Sequence, residues 1–126
     1  MSANKFFQSV PALSRLAVKF ILLNSILLVL MPAARAGNFT VSNTTQFQTA
    51  LNTAASNGQN DTINVLAGTY NVNPTLTYTS NENYFILIRG VGSPVLDGGN
   101  ARRVLLISTT SGSADIFVEG LTIQHG

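Results

Sequence analysis

Few side chains in this chain of 126 residues are suited to chemistry. His125, in "QHG", is the only histidine. A lone histidine can act as a general base or acid, but it needs an orienting partner. With nothing in the sequence to assign one, it reads as an outward or turn residue at the end of a strand. Asp97, in "VLDGGN", sits three residues before Asn100, and the two could hold calcium. Calcium takes six or more oxygens, and the acids here are scattered, so Asp97 reads as a turn cap. Asp115 and Glu119 lie four apart on one strand. That spacing is ~13 Å, too long for a carboxylate pair at one glycosidic bond. "GVGSPV" offers Gly90 and Gly92 but Val95 where a dinucleotide loop has its third glycine. No helical pattern follows to hold a phosphate, so the stretch reads as a sharp corner. These residues assign no catalytic, cofactor-binding or metal site.

The elements that must position such groups fall into three segments. Residues 1–36 carry Lys5, Arg15, Lys19 and Arg35 around the apolar run "FILLNSILLVLM", Phe20 to Met31. Ala34-Arg35-Ala36 follows, with small residues at both ends. A basic lead, a short apolar middle and an A-x-A end predict a secretory signal peptide cut after Ala36. The apolar run is shorter than the ~20 residues a membrane span needs. Export to the outside or the cell surface is therefore expected. The 90 residues beyond Ala36 carry three arginines against five acids, a net charge of −2. That excludes the clustered basic face of a nucleic-acid binder, and Arg102-Arg103 reads as a solvated turn. The chain has no cysteine, so the fold must hold without disulfides.

Residues 37–60 read as a strand, "NFTV", and one helix. Phe47, Ala50, Leu51, Ala54 and Ala55 fall at helical spacing and predict an amphipathic helix over 44–56. Asn43 is its N-cap, and Gln46 completes a capping-box pattern. Asn57-Gly58 stops it, with Gly58 suited to the left-handed conformation.

Residues 61–126 lose the helical period. Seven short β runs follow: "TINVL", "TLTY", "YFILIRG", "PVLDG", "RVLLIS", "DIFVEG" and "LTIQ". Turn clusters separate them, the longest being "AGTYNVNP", residues 67–74. "FILIRG" and "DIFVEG" share one pattern and start 30 residues apart. Such self-similarity predicts stacked repeats. Ile86 should lie on Ile116, Ile88 on Val118 and Arg89 beside Glu119. The aliphatic residues point inward because Arg89 and Glu119 must face water. Leu87 and Phe117 then lie outward and need cover.

The segments "FQTALNTAASNGQNDTINVLAGTY", "ILIRGVGSPVLDGG" and "IFVEGLTIQHG" resemble the start of a right-handed parallel β-helix of the pectate-lyase-like superfamily. They particularly resemble bacterial surface proteins with such a β-helix and a C-terminal anchor, including polymorphic outer-membrane-type proteins. The resemblance implies an all-β solenoid, here its first coils, with the helix closing the leading end. It implies a secreted or cell-surface scaffold, adhesin-like and non-catalytic, whose partner is an extracellular polysaccharide or surface ligand. The alternative it leaves is the N-terminal part of a secreted polysaccharide lyase or glycoside hydrolase with its active site on later coils. "QHG" resembles the Gly-His-Gly element of polygalacturonases, but Gln124 replaces the first glycine and the paired aspartates are missing. Asn38, Asn43 and Asn60 open glycosylation sequons, which have meaning only in a eukaryotic secretory host.

Overall fold

The structure is a computed structural model, and it describes residues 35–110 and 114–126. The signal peptide expected from the sequence lies outside the described residues. Arg35–Gly126 forms one compact unit.

The unit opens with β1 (Ala36–Val41) and α1 (Thr44–Ala54). Eight strands follow: β2 (Asn60–Leu66), β3 (Thr69–Asn71), β4 (Leu76–Ser80), β5 (Ile86–Val91), β6 (Val95–Asp97), β7 (Leu105–Thr109), β8 (Ile116–Glu119) and β9 (Thr122–Gln124). The class is all-β with one helix. Every strand pair is parallel, in three sheets ordered β1-β2-β5-β8, β3-β6-β9 and β4-β7. The chain visits the three sheets in turn, then returns to the first beside its earlier strand. One expectation needs correction: "AGTYNVNP" is more than a turn, because it contains β3. Tyr70 supplies the reason. It is buried between two exposed neighbours, stacks edge-on against Phe47 at 6.3 Å, and its hydroxyl reaches the carbonyl oxygens of Leu66 (2.8 Å) and Val41 (3.1 Å).

The register follows the aliphatic rows. Ile86 pairs with Ile116, Leu87 with Phe117, Ile88 with Val118 and Arg89 with Glu119, as the 30-residue repeat predicts. The preceding return is shorter, with Asp61 opposite Ile86. Ile63, Val65, Ile86, Ile88 and Leu96 are fully buried. Burying each contributes about 1.5–3 kcal/mol, which outweighs any surface pairing. Val118 continues the Ile88 row but remains 42 % exposed, because β8 is the last strand of its sheet. Phe117, expected outside, is 53 % exposed, and its ring meets Phe85 edge-on at 6.5 Å.

Helix α1 begins as its sequence dictates. The Asn43 side chain accepts from the Gln46 N–H at 2.9 Å. The capping box is displaced by one residue: the Gln46 amide oxygen accepts from Ser42 N–H (2.9 Å), not from Asn43 N–H. Phe47, Ala50, Leu51 and Ala54 form the buried stripe. The helix ends at Ala54, two residues short of the expected 56, and Gly58 turns the chain at φ 72°.

The polar face of α1 does a second job. Gln48 donates its amide N–H to Thr77 O and accepts from Thr77 N–H, both at 2.8 Å. Its side chain thus pairs with the free edge of β4 as a neighbouring strand would. Thr44 Oγ1 donates to Asn71 O at 3.3 Å, and Ser80 Oγ donates to Ala55 O at 2.8 Å. Leading strands of two sheets are therefore satisfied by helix groups rather than left as raw edges.

Candidate functional site

Strands β3, β6 and β9 share one reading: a polar or half-buried residue, a large apolar residue turned inward, then a polar residue at the strand end. Their registers align Tyr70, Leu96 and Ile123 in one row, the first two buried and Ile123, on the last strand, 52 % exposed, and Asn71, Asp97 and Gln124 in the next, outer row. Neighbouring strands in a sheet lie ~4.8 Å apart, so the outer residues meet. Gln124 Nε2 donates to Asp97 Oδ2 at 2.9 Å. Gly99 N–H donates to Asp97 Oδ1 at 2.8 Å, which closes the turn after β6. His125 Nδ1 lies 3.2 Å and 3.1 Å from the same two oxygens.

The turn is fixed by the backbone. Gly99, Asn100 and His125 all have positive φ, at 63°, 58° and 51°. A Cβ on Gly98 would stand only 2.6 Å from the carbonyl oxygen of His125 and 2.7 Å from that of Arg102, so it would collide with both. Asn100 N–H donates to His125 O at 2.7 Å, holding the histidine's backbone in place.

Electrostatics follow from this set of donors. The Asp97 carboxyl is held down at about 2, first by the Gln124 amide, then by Gly99 N–H, then by His125. It stays ionised well below neutrality, so it cannot serve as a proton donor there. An ionised carboxylate only accepts hydrogen bonds. His125 Nδ1 therefore carries a hydrogen toward Asp97. Nε2 is left as the second ring nitrogen, on a side chain about half exposed.

Beside the carboxylate lies a cleft of about 330 Å³, lined by Asn71, Asn73, Asp97, Gly99 and Arg102 among others. The Arg102 guanidinium hydrogen-bonds the Asn73 side-chain oxygen. One anion, one cation and several amides thus border the same hollow. Such a set suits hydroxyl groups, which donate to carboxylates and accept from guanidinium and amide N–H groups.

The residues singled out from the sequence take these places. Asp97 caps its turn, as expected, and its oxygens accept from the Gly99 and Gln124 N–H groups. His125 does end a strand, but it is oriented by a carboxylate that sequence reasoning did not assign to it. Asn100 contributes backbone only to this network. Glu119 pairs with Arg89 at 3.0 Å on the outer face of the first sheet, both side chains about half exposed. Asp115 gives its backbone oxygen to Ile86 N–H, and no contact brings its carboxylate to Glu119. Gly92 (φ 77°) and Ser93 (φ 61°) make "GVGSP" the corner between β5 and β6. Arg102 and Arg103 lie in the β6–β7 connection, and Thr75 Oγ1 donates to the carbonyl of Arg103. Gln124 and Asn71 were missed. Their signal was the shared pattern of "TYN", "VLD" and "TIQ", whose spacing is unequal and escapes a fixed-period search.

Among the described residues, no group of three or more His, Asp or Glu converges in a way that would hold a metal ion. No helix among them is long and apolar enough to cross a membrane. Comparison with protein-family models, with curated proteins and with solved structures gave no match.

Proposed function

We propose that the chain is the leading part of a right-handed parallel β-helix of pectate-lyase-like build, exported to the cell surface or medium. Its role is that of a non-catalytic, adhesin-like scaffold that binds extracellular polysaccharide. Three parallel sheets visited in rotation support the architectural part. The observation that carries the functional part is the aligned row Asn71–Asp97–Gln124 beside the Arg102 cleft. A carboxylate kept ionised by its neighbours and a guanidinium across a shallow hollow suit a polyhydroxylated polymer lying over the sheet.

Affinity electrophoresis through gels holding polygalacturonate or a neutral glucan tests this reading. Retardation of the chain is expected, weakened in Asp97→Ala and Arg102→Ala. Unchanged mobility in every gel, or retardation indifferent to both substitutions, would remove the assignment.

A second reading has one specific observation behind it. His125 held by Asp97 is the arrangement of an oriented general base. If the chain belongs to a polysaccharide lyase or glycoside hydrolase, polygalacturonate incubated with and without calcium should yield new reducing or unsaturated ends. His125→Ala should abolish that yield. No product under either condition leaves the scaffold reading.

A further inference from the structure

Asn57-Gly58 is the only Asn-Gly pair in the chain. It lies between α1 and β2. Glycine after asparagine leaves the next backbone nitrogen unshielded, since no Cβ stands beside it. Here the surroundings are specific. Gly58 N–H donates to both oxygens of Glu82, at 3.0 and 3.1 Å. Gln59 N–H donates to Asn57 Oδ1 at 3.1 Å. Asn57 Nδ2 donates to Asp61 Oδ1 at 2.9 Å. Asp61 is 1 % exposed.

We propose that this junction is a self-modification site, at which Gly58 N attacks Asn57 Cγ to close a succinimide and release ammonia. Each group already holds the atom it would serve. Glu82 takes the Gly58 amide proton as that nitrogen's electron pair forms the new bond to Cγ. The carbonyl π pair moves onto Oδ1, where Gln59 N–H meets the developing charge, as an oxyanion-hole donor does. When the C=O re-forms, the Cγ–Nδ2 bond breaks and its electron pair leaves with nitrogen. That nitrogen, held by its hydrogen bond to Asp61 Oδ1, takes a proton from water and departs as ammonia. The hydroxide so formed takes the proton back from Glu82, which restores the carboxylate. Water then opens the ring at one carbonyl or the other, leaving aspartate or isoaspartate at position 57.

Burial raises the Asp61 carboxyl first, the Asn57 hydrogen bond opposes it, and the charge of Glu82 raises it further. Asp61 and Glu82 are the two ionisable groups coupled here. The product carries a new negative charge against both, and it withdraws the amide donor from the buried Asp61. An aged molecule is therefore expected to be less stable at the helix–strand junction.

Incubating the full chain at neutral pH and following the peptide that contains residue 57 by mass spectrometry tests the proposal. The readouts are loss of ammonia, then gain of water. Conversion is expected to be faster in the folded chain than in the same chain held in urea. Glu82→Gln should slow the folded chain at least several-fold. The pH profile separates this machinery from ordinary chain chemistry. In urea, where hydroxide takes the amide proton, the rate should climb steadily with pH, whereas in the folded chain, where Glu82 takes it, the climb should be shallower. Glu82 is partly exposed and away from the core, so its substitution is expected to leave the fold intact, as circular dichroism would verify. An amide that persists at position 57 in the folded chain while the unfolded chain converts would overturn the proposal. So would a Glu82→Gln rate equal to the parent's.

Discussion

Single residues set the pH response of this protein, and two aspartates do so in opposite directions. Asp61 is buried in the inward row opposite Ile86 and Gly37, and its folded pKa is raised above 3.8. Below 3.8 it is protonated in both states. As pH rises, the unfolded chain gives up the proton first, so stability falls until the folded group also ionises. Asp97 is lowered to about 2. Its contribution is present above 3.8 and is lost as pH falls from there toward about 2. Urea unfolding across this range should show Asp61→Asn gaining on the parent as pH rises above 4, and Asp97→Asn flattening only the acid limb. A constant offset at every pH would contradict both assignments. Gly90 is a different single-residue constraint, because a Cβ there would overlap the Gly120 carbonyl of the neighbouring strand's turn. Gly90→Ala is expected to cost about 1–3 kcal/mol, as overpacking does, measured by the shift in urea midpoint.

At the scale of elements, α1 contributes through both faces. Its buried stripe packs on the core, so Leu51→Ala should cost about 2–5 kcal/mol. Its polar face completes the edge of β4 through Gln48. Gln48→Leu strands the Thr77 N–H and carbonyl, and should cost about 1–3 kcal/mol despite lying partly at the surface. The Arg89–Glu119 pair is a useful contrast. It is equally visible as a contact, yet both partners are solvated, so Glu119→Gln should change stability by about 1 kcal/mol or less. If Glu119→Gln proved costlier than Gln48→Leu, the ranking of edge satisfaction over surface charge would be wrong. Apolar stacking decides the register of β5 on β8, and the ion pair merely agrees with it.

At the scale of the molecule, the two ends of the sheets differ. Leading strands β3 and β4 receive hydrogen bonds from α1. Among the described residues, the last strands β7, β8 and β9 have neighbours on one side only, and Val118 and Ile123 there are 42 % and 52 % exposed. Unpaired edges with exposed aliphatic residues favour intermolecular pairing. Light scattering of the purified chain is expected to show concentration-dependent association, suppressed in Val118→Lys and Ile123→Lys. Association unaffected by either substitution would place the contact elsewhere.

The amino-acid sequence by itself determined whatever depends on neighbours close along the chain or on a clean repeat. Asn43 and the stripe from Phe47 to Ala54 specified the helix. Gly90 and Gly92 of "GVGSPV" specified a corner. The repeat "FILIRG"/"DIFVEG" specified the pairing of residues 86–89 with 116–119. Tertiary structure decided what depends on unequal returns of the chain. Asp61 meets Ile86 after 25 residues and Ile86 meets Ile116 after 30, whereas Asn71 meets Asp97 after 26 and Asp97 meets Gln124 after 27, so the 30-residue repeat does not bring that row together. The strand β3 was hidden because three residues carry too little periodicity against a background of turn formers. The close grouping of Asn57, Gln59, Asp61 and Glu82 was hidden for a related reason. Glu82 reaches Gly58 across 24 residues, and only a folded chain brings a carboxylate to that amide.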